Sequence, residues 1–269
     1  MPLWTCEQCG AQFPETDGPP SSCPVCEDER QFVNWKGQRW LTREQLAATH
    51  KVVWRDDLGV AGLGLEPSFA IGQRALLLAE PDGCVMWDCI PVATAEGVQH
   101  VRSLGGLKAI AVSHPHFYGA VADWSEAFGG VPVYLHADDR SWITRPHDAI
   151  VTWTGERLDM SDDIRLWRAG GHFAGATILH WRKAADGKGA LFTGDVVMVA
   201  MDRRSVSFMY SYPNLVPLNA AAVRGIAEII APLAFDRIYG AWWGRNIAAG
   251  AKANFDASVR RYLAAIKSA

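Results

Sequence analysis

The chain has 269 residues, is 49% hydrophobic and 20% charged, and carries a net charge of −3. That balance suits a globular protein with a sizeable core, and it excludes a global field that would draw the chain to nucleic acid or an anionic membrane. No run of 18 apolar residues occurs, and the start Met1-Pro-Leu-Trp-Thr-Cys6 lacks the basic, then apolar, pattern of a leader, so the expectation is a cytoplasmic protein without a membrane span.

The first forty residues differ from the rest. They hold the pairs Cys6-Glu-Gln-Cys9 and Cys23-Pro-Val-Cys26, separated by a Pro/Gly/Ser-rich stretch from Pro14 to Ser22. Two C-x-x-C knuckles at this distance fold back to place four thiolates around one tetrahedral ion, a firmer reading than four unrelated buried cysteines. So small a segment cannot bury enough apolar surface alone, and the metal supplies its folding energy. Four thiolates hold either zinc or iron. Residues 1–33 carry one basic residue, Arg30, against six acidic ones, which argues against phosphate contacts by this part. The spacing predicts a metal-knuckle module over 1–41 and a larger domain over 42–269.

Thr42 and Gln45, three apart, form a capping box that predicts a short helix joining the two parts. Strand-like apolar runs follow at Val52–Trp54, Ala75–Ala79 and Cys84–Ile90. A helix-periodic stretch, Ala95–Leu104, leads into the strand Leu107–Ser113. Further on come a helix at Asp123–Phe128 and strands at Val131–Leu135, Ile164–Trp167, Thr177–Trp181 and Ala190–Phe192. Amphipathic helices at Asn219–Ile230 and Ala253–Ile266 flank the strand Arg237–Tyr239. Mixed strands and helices over some 220 residues predict a layered α/β domain with two sheets.

Chemistry concentrates at four residues. His114 and His116 follow the strand Leu107–Ser113, His172 sits in Ala169-Gly-Gly-His-Phe-Ala-Gly175, and Asp195 closes Ala190-Leu-Phe-Thr-Gly-Asp195. Imidazole nitrogen and carboxylate oxygen are ligands that zinc accepts. His50, His100, His147 and His180 have no partner spacing. His136 ends a predicted strand; an approach to the site edge is one reading, and capping the next helix or packing there is the expected role.

Two resemblances rest on these motifs. Trp4-x-Cys6-x-x-Cys9-Gly10 with Pro20-x-x-Cys23-Pro24-x-Cys26 and Phe32 resembles the rubredoxin-like module of rubrerythrins and zinc ribbons more generally. From about residue 52 onward, the order Met86-Trp87-Asp88, Ser113-His-Pro-His116, Gly-Gly-His172 and Leu191-Phe-Thr-Gly-Asp195 resembles the metallo-β-lactamase fold superfamily. That second resemblance implies an αββα sandwich with a metal site at one edge. It places His114, His116 and His172 on the three-histidine site, Asp195 on the bridging carboxylate, and Asp88 on a structural acid that supports the site loops. The superfamily motif H-x-H-x-D-H is broken here by Tyr118 and Gly119, and its last histidine by Tyr239-Gly-Ala-Trp-Trp-Gly244. A mononuclear site is therefore expected.

The leading expectation is a metal-dependent hydrolase that directs one activated water at an ester, thioester, lactone or phosphodiester, with Asp195 ligating or orienting the water. One zinc ion is expected in the four-cysteine module and another among the three histidines and Asp195, with iron an alternative in either. Tyr118 is a candidate donor to a developing oxyanion, but its phenol, with a reference pKa near ~10, is a poor base. Phe117, Phe173, Trp242 and Trp243, with Arg203, are candidates for substrate binding, against the plainer reading of aromatic packing and a solvated arginine. The competing readings are an iron-containing redox protein and a non-catalytic, metal-stabilised binding module. The expected partner is a small-molecule substrate, with no nucleic acid and no membrane; a homo-oligomer stays open.

Overall fold

A computed structural model describes residues 1–266; the last three positions of the 42–269 stretch lie outside the described residues. The chain forms two compact units. The first comprises 1–135 with 139–152, so the cysteine module shares a unit with the strands that follow it.

In that unit β1 (Trp4–Cys6) pairs antiparallel with both β2 (Gln12–Phe13) and β3 (Trp40–Thr42). A single turn, α1 (Pro24–Glu27), starts just after Cys23 and carries Cys26. The expected capping box opens α2 (Arg43–Thr49): Thr42 Oγ1 accepts the Gln45 N–H at 3.2 Å, and Gln45 Oε1 accepts the Thr42 N–H at 2.8 Å. A seven-stranded sheet follows, built from β4 (Lys51–Asp57), β5 (Val60–Glu66), β6 (Ala75–Glu80), β7 (Gly83–Trp87), β8 (Leu107–Ala111), β9 (Val133–His136) and β10 (Ile150–Trp153), in the order β10-β9-β8-β7-β6-β5-β4. β7 is buried throughout, and its apolar run is what a central strand requires, whereas β4 at the edge is largely exposed. β5 was not expected, because Gly62 and Gly64 weaken its strand character. Seven consecutive residue pairs with β4 make it a strand. α3 (Ala95–Ser103) begins at Thr94, whose hydroxyl accepts the Gly97 N–H, and α4 (Val121–Ala127) follows the histidine pair.

The second unit comprises 136–138 and residues from 153 onward. Its six-stranded sheet runs β11-β12-β13-β14 antiparallel, from β11 (Arg157–Asp159), β12 (Ile164–Arg168), β13 (Thr177–Trp181) and β14 (Ala190–Gly194). β19 (Arg237–Gly240) then joins parallel to β14, and β20 (Asn246–Ile247) closes the sheet antiparallel. Two small hairpins, β15 (Met198–Val199) with β16 (Val206–Ser207) and β17 (Met209–Ser211) with β18 (Val216–Pro217), lie in the chain between β14 and the helices. α5 (Ala220–Ile230) is capped by Asn219, whose side chain accepts the Ala222 N–H, and it buries Val223, Ile226 and Ile230 on one face. α6 (Ala251–Ala265) buries Phe255, which meets Phe208 edge-on at 6.1 Å. Among the described residues no helix is long and apolar enough to cross a membrane.

Candidate metal centres

Cys6, Cys9, Cys23 and Cys26 are all buried and none is in a disulfide. Cys6 Sγ lies 3.5 Å from Cys26 Sγ, and Cys9 Sγ 3.6 Å from Cys23 Sγ. A tetrahedron with zinc–sulfur bonds of about 2.3 Å has edges of about 3.8 Å, so the donor set fits a four-thiolate ion. The knuckles are shaped by backbone bonds from Gly10 N–H to Cys6 O and from Cys26 N–H to Cys23 O. Gln38 Nε2 donates to Cys6 Sγ at 3.1 Å, a contact 32 residues away in sequence that the motif did not reveal. Hydrogen bonds from Cys23, Cys26 and Cys9 hold the Cys6 thiol far below its usual range. Hydrogen bonds to Cys23 and Cys6, with burial, push Cys26 up, and bonds to Cys23, Cys26 and Cys6, with burial, push Cys9 up.

In the first unit β8 ends at Ala111, and the chain turns at His114 into a single 3₁₀ turn, Pro115–Phe117. The turn, rather than a continued strand, brings the two rings to 5.1 Å between centroids. Both histidines are buried. Ser113 Oγ lies 3.0 Å from His114 Nδ1, and Phe117 meets the His114 ring edge-on at 4.8 Å. Asp88 follows β7 with a positive φ of 58° and accepts the Ser113 N–H at 2.8 Å, which ties the end of one strand to the histidine loop. Burial pushes the Asp88 carboxyl up to about 7, held back by the Ser113 bonds and the charge of Arg74.

In the second unit His172 Nδ1 lies 3.0 Å from the Met209 carbonyl, and His172 Nε2 lies 3.9 Å from Asp195 Oδ1. Phe173 packs edge-on against the His172 ring at 5.2 Å. The Tyr212 hydroxyl donates to the backbone carbonyl of Asp195, and the Tyr212 ring sits 5.7 Å from His172. Burial, with the Asp195 charge second, raises the Tyr212 phenol well above its usual range, so it stays a donor. The β17–β18 hairpin thus supports both residues. Neither Met209 nor Tyr212 carried a sequence signal, because their hairpin strands are too short to show a period.

Two groups of described residues are able to hold a metal ion: the four cysteines, and His114, His116, His172 and Asp195. Within each group one ligand atom from every residue lies within 4.8 Å of the others. For the second group, three imidazoles and a carboxylate are a donor set that suits zinc.

The other candidates fall at varied depths. Phe117 and Phe173 are almost fully buried and meet the His114 and His172 rings edge-on. Tyr118 is buried, its phenol raised well above the usual range by burial and then by Asp139. Trp242 is half-buried and meets Tyr212 edge-on at 6.5 Å; Trp243 beside it is half-buried too. Arg203 is exposed, its guanidinium near Gly244. His136 Nδ1 accepts the Asp138 N–H at 3.2 Å, at the start of the 3₁₀ turn Ala137–Trp142.

Comparison with known proteins places the chain. It is 42% identical over 271 residues to the uncharacterised protein YmaE of Bacillus subtilis (strain 168), an alignment covering 100% of this chain and 98% of that protein. This chain belongs to the YmaE family. No protein-family profile matches the sequence. Solved structures similar to it include the DIM-1 metallo-β-lactamase, with a TM-score of 0.57 and 11% identity over 81% of this chain and 98% of that one. Another is the FIM-1 metallo-β-lactamase of Pseudomonas aeruginosa in its mono-zinc form, with a TM-score of 0.56 and 16% identity over 81% and 96%. At those identities the likeness is one of fold. The chain has the metallo-β-lactamase fold, as the order of its motifs implied, with a four-cysteine group near its N-terminus.

Proposed function

We propose that this protein is a metal-dependent hydrolase with one zinc ion held by His114, His116, His172 and Asp195, and a second, structural zinc ion in the thiolate group. The observation that carries the reading is the convergence of three buried imidazoles and one buried carboxylate in a chain of this fold. A single ion is favoured by Gly119, which stands where the superfamily motif has histidine. Its φ is +46°, and a Cβ there would lie 3.2 Å from the backbone of Ile90. The mono-zinc FIM-1 structure shows that a protein of this fold holds one zinc ion.

Bound by these residues, zinc would supply Lewis acidity to polarise a carbonyl or phosphoryl oxygen and to acidify water to a pKa of about 7. The protein's own groups do the rest. The Met209 carbonyl fixes the His172 tautomer with the proton on Nδ1, which directs Nε2 inward as the ligand atom. Ser113 Oγ, 3.0 Å from His114 Nδ1, holds the orientation of that ring. Asp195, its Oδ1 3.9 Å from His172 Nε2, would complete the ligand set and orient the attacking water. Tyr118, kept protonated by burial, is the candidate donor to a developing oxyanion. Trp242, Trp243 and Arg203 contact the substrate, an ester, thioester, lactone or phosphodiester.

Elemental analysis of the purified protein is expected to give two equivalents of zinc, and His116→Ala one. A panel of the four substrate classes, with His116→Ala as the blank, is expected to show turnover by the wild type alone. Zinc-loaded protein that turns over none of them refutes the proposal.

A further inference from the structure

The cysteine module is fastened to the histidine loop by two separate routes inside the first unit. The first runs through Gln12 on β2, a polar side chain only 2% exposed. Its amide nitrogen donates to Asp123 Oδ2 at 3.1 Å and reaches the Pro91 carbonyl at 3.5 Å. Its amide oxygen accepts from Arg145 Nη1 at 2.8 Å, and the same nitrogen holds Asp123 Oδ1 at 2.6 Å. Thr144 Oγ1 donates to the Gln12 backbone carbonyl at 2.6 Å, and Arg43 Nη1 stands 3.7 Å from Asp123. Asp123 lies in the first turn of α4, the helix that begins five residues after His116.

The second route runs through the knuckle itself. A Cβ on Gly10, the residue after Cys9, would lie 2.9 Å from Pro91 Cγ, so the knuckle backbone rests directly on that proline. One residue earlier, the Ile90 carbonyl accepts the Ala120 N–H at 3.3 Å and closes over Gly119. Both routes end on the segment just C-terminal to His116. Ala11 and Phe13, which flank Gln12, pack in one cluster with the four cysteines, so the knuckle and the latch share a core.

We propose that the thiolate module is a brace for the His114–His116 loop, with Gln12 as a positioning residue that couples occupancy of the thiolate site to metal affinity at the histidine site. The ion in the thiolate group holds β2 in place, and β2 holds α4 and the Ile90–Pro91 stretch, which set where the loop ends. By linkage the coupling is reciprocal: each bound ion tightens the other. The inference rests on the reading of His114 and His116 as ligands.

The test is competitive cobalt and zinc titration of the full chain, in which thiolate-to-cobalt charge-transfer absorption reports the four-thiolate site separately from the histidine site. Gln12→Met keeps the bulk and removes the hydrogen bonds. It is expected to retain the thiolate-bound ion while losing about 10- to 100-fold in affinity at the histidine site, the range for outer supports of metal ligands. Removing the thiolate-bound ion from wild type is expected to weaken the histidine site in the same direction. Should Gln12→Met fail to fold, Thr144→Val removes one bond of the latch and is expected to give a smaller loss at the same site. Two bound equivalents with unchanged histidine-site affinity in the variant overturn the coupling alone. Wild-type protein that binds only the thiolate equivalent overturns the histidine site and the coupling with it.

Discussion

Gly119→His restores the residue that the superfamily motif carries, and the structure predicts that it costs stability without adding a metal. The backbone φ is +46°, and a Cβ would meet Ile90 C and O at 3.2 Å and Cys89 O at 3.3 Å. The left-handed conformation costs a non-glycine residue about 1–2 kcal/mol. Forcing a side chain against backbone that cannot rotate away costs about 1–3 kcal/mol more. The expected loss is therefore about 2–5 kcal/mol, or roughly 5–15 °C in Tm for a chain of this size. Gly18→His is the control: a Cβ there meets nothing within 4 Å, and its effect is expected to stay within about 0.5 kcal/mol. Thermal unfolding followed by near-ultraviolet circular dichroism measures both, and elemental analysis counts the metal. A Gly119→His protein as stable as wild type, or one that gains an equivalent of zinc, refutes the argument that Ile90 closes off the second metal position.

Four further outcomes are expected. His172→Ala should lose the histidine-site metal to a chelator concentration that leaves the thiolate ion bound, as read by elemental analysis after dialysis. Tyr212→Phe removes the donor to the Asp195 carbonyl and should cost about 1–3 kcal/mol in denaturant unfolding, the penalty of losing the donor to a buried acceptor. Asp57→Asn removes the carboxylate charge that faces the guanidinium of Arg74, 2.7 Å away and 1% exposed, and should destabilise by about 3–5 kcal/mol in the same assay. Burial lowers the His180 pKa below 6.5, partly opposed by its bond to the Ala234 carbonyl. A depressed histidine contributes stability that is present above 6.5 and lost as pH falls through the folded value. His180→Gln should therefore show a smaller drop in Tm than wild type between about pH 7 and about pH 5, and an equal drop counts against the assignment.

The local chemistry of this protein was written in its residues. C-x-x-C pairs form knuckles because two thiols three apart meet across one turn, and continuous apolar runs such as Ala75–Ala79 make buried strands wherever they pair. The capping box at Thr42 and Gln45 formed as read, since it depends only on groups within one turn of helix. The order of strand ends bearing His114, His116, His172 and Asp195 carried the fold. Short-range period did not reveal β5, whose glycines lower its propensity, or β15 to β18 and β20, whose two or three residues show no period at all.

Folding in three dimensions decided the rest. Tyr212 meets Asp195 from 17 residues away, Met209 meets His172 from 37, and Gln12 meets Asp123 and Arg145 from 111 and 133. The closure of Ile90 over Gly119 likewise arises only when separate stretches of chain pack. Such contacts rest on hydrogen bonds and close backbone approaches that any of many polar or small residues supply. A sequence names the residues that reach for a metal, because few side chains have that chemistry; the neighbours that hold them still are chosen by position, and position is a property of the folded chain.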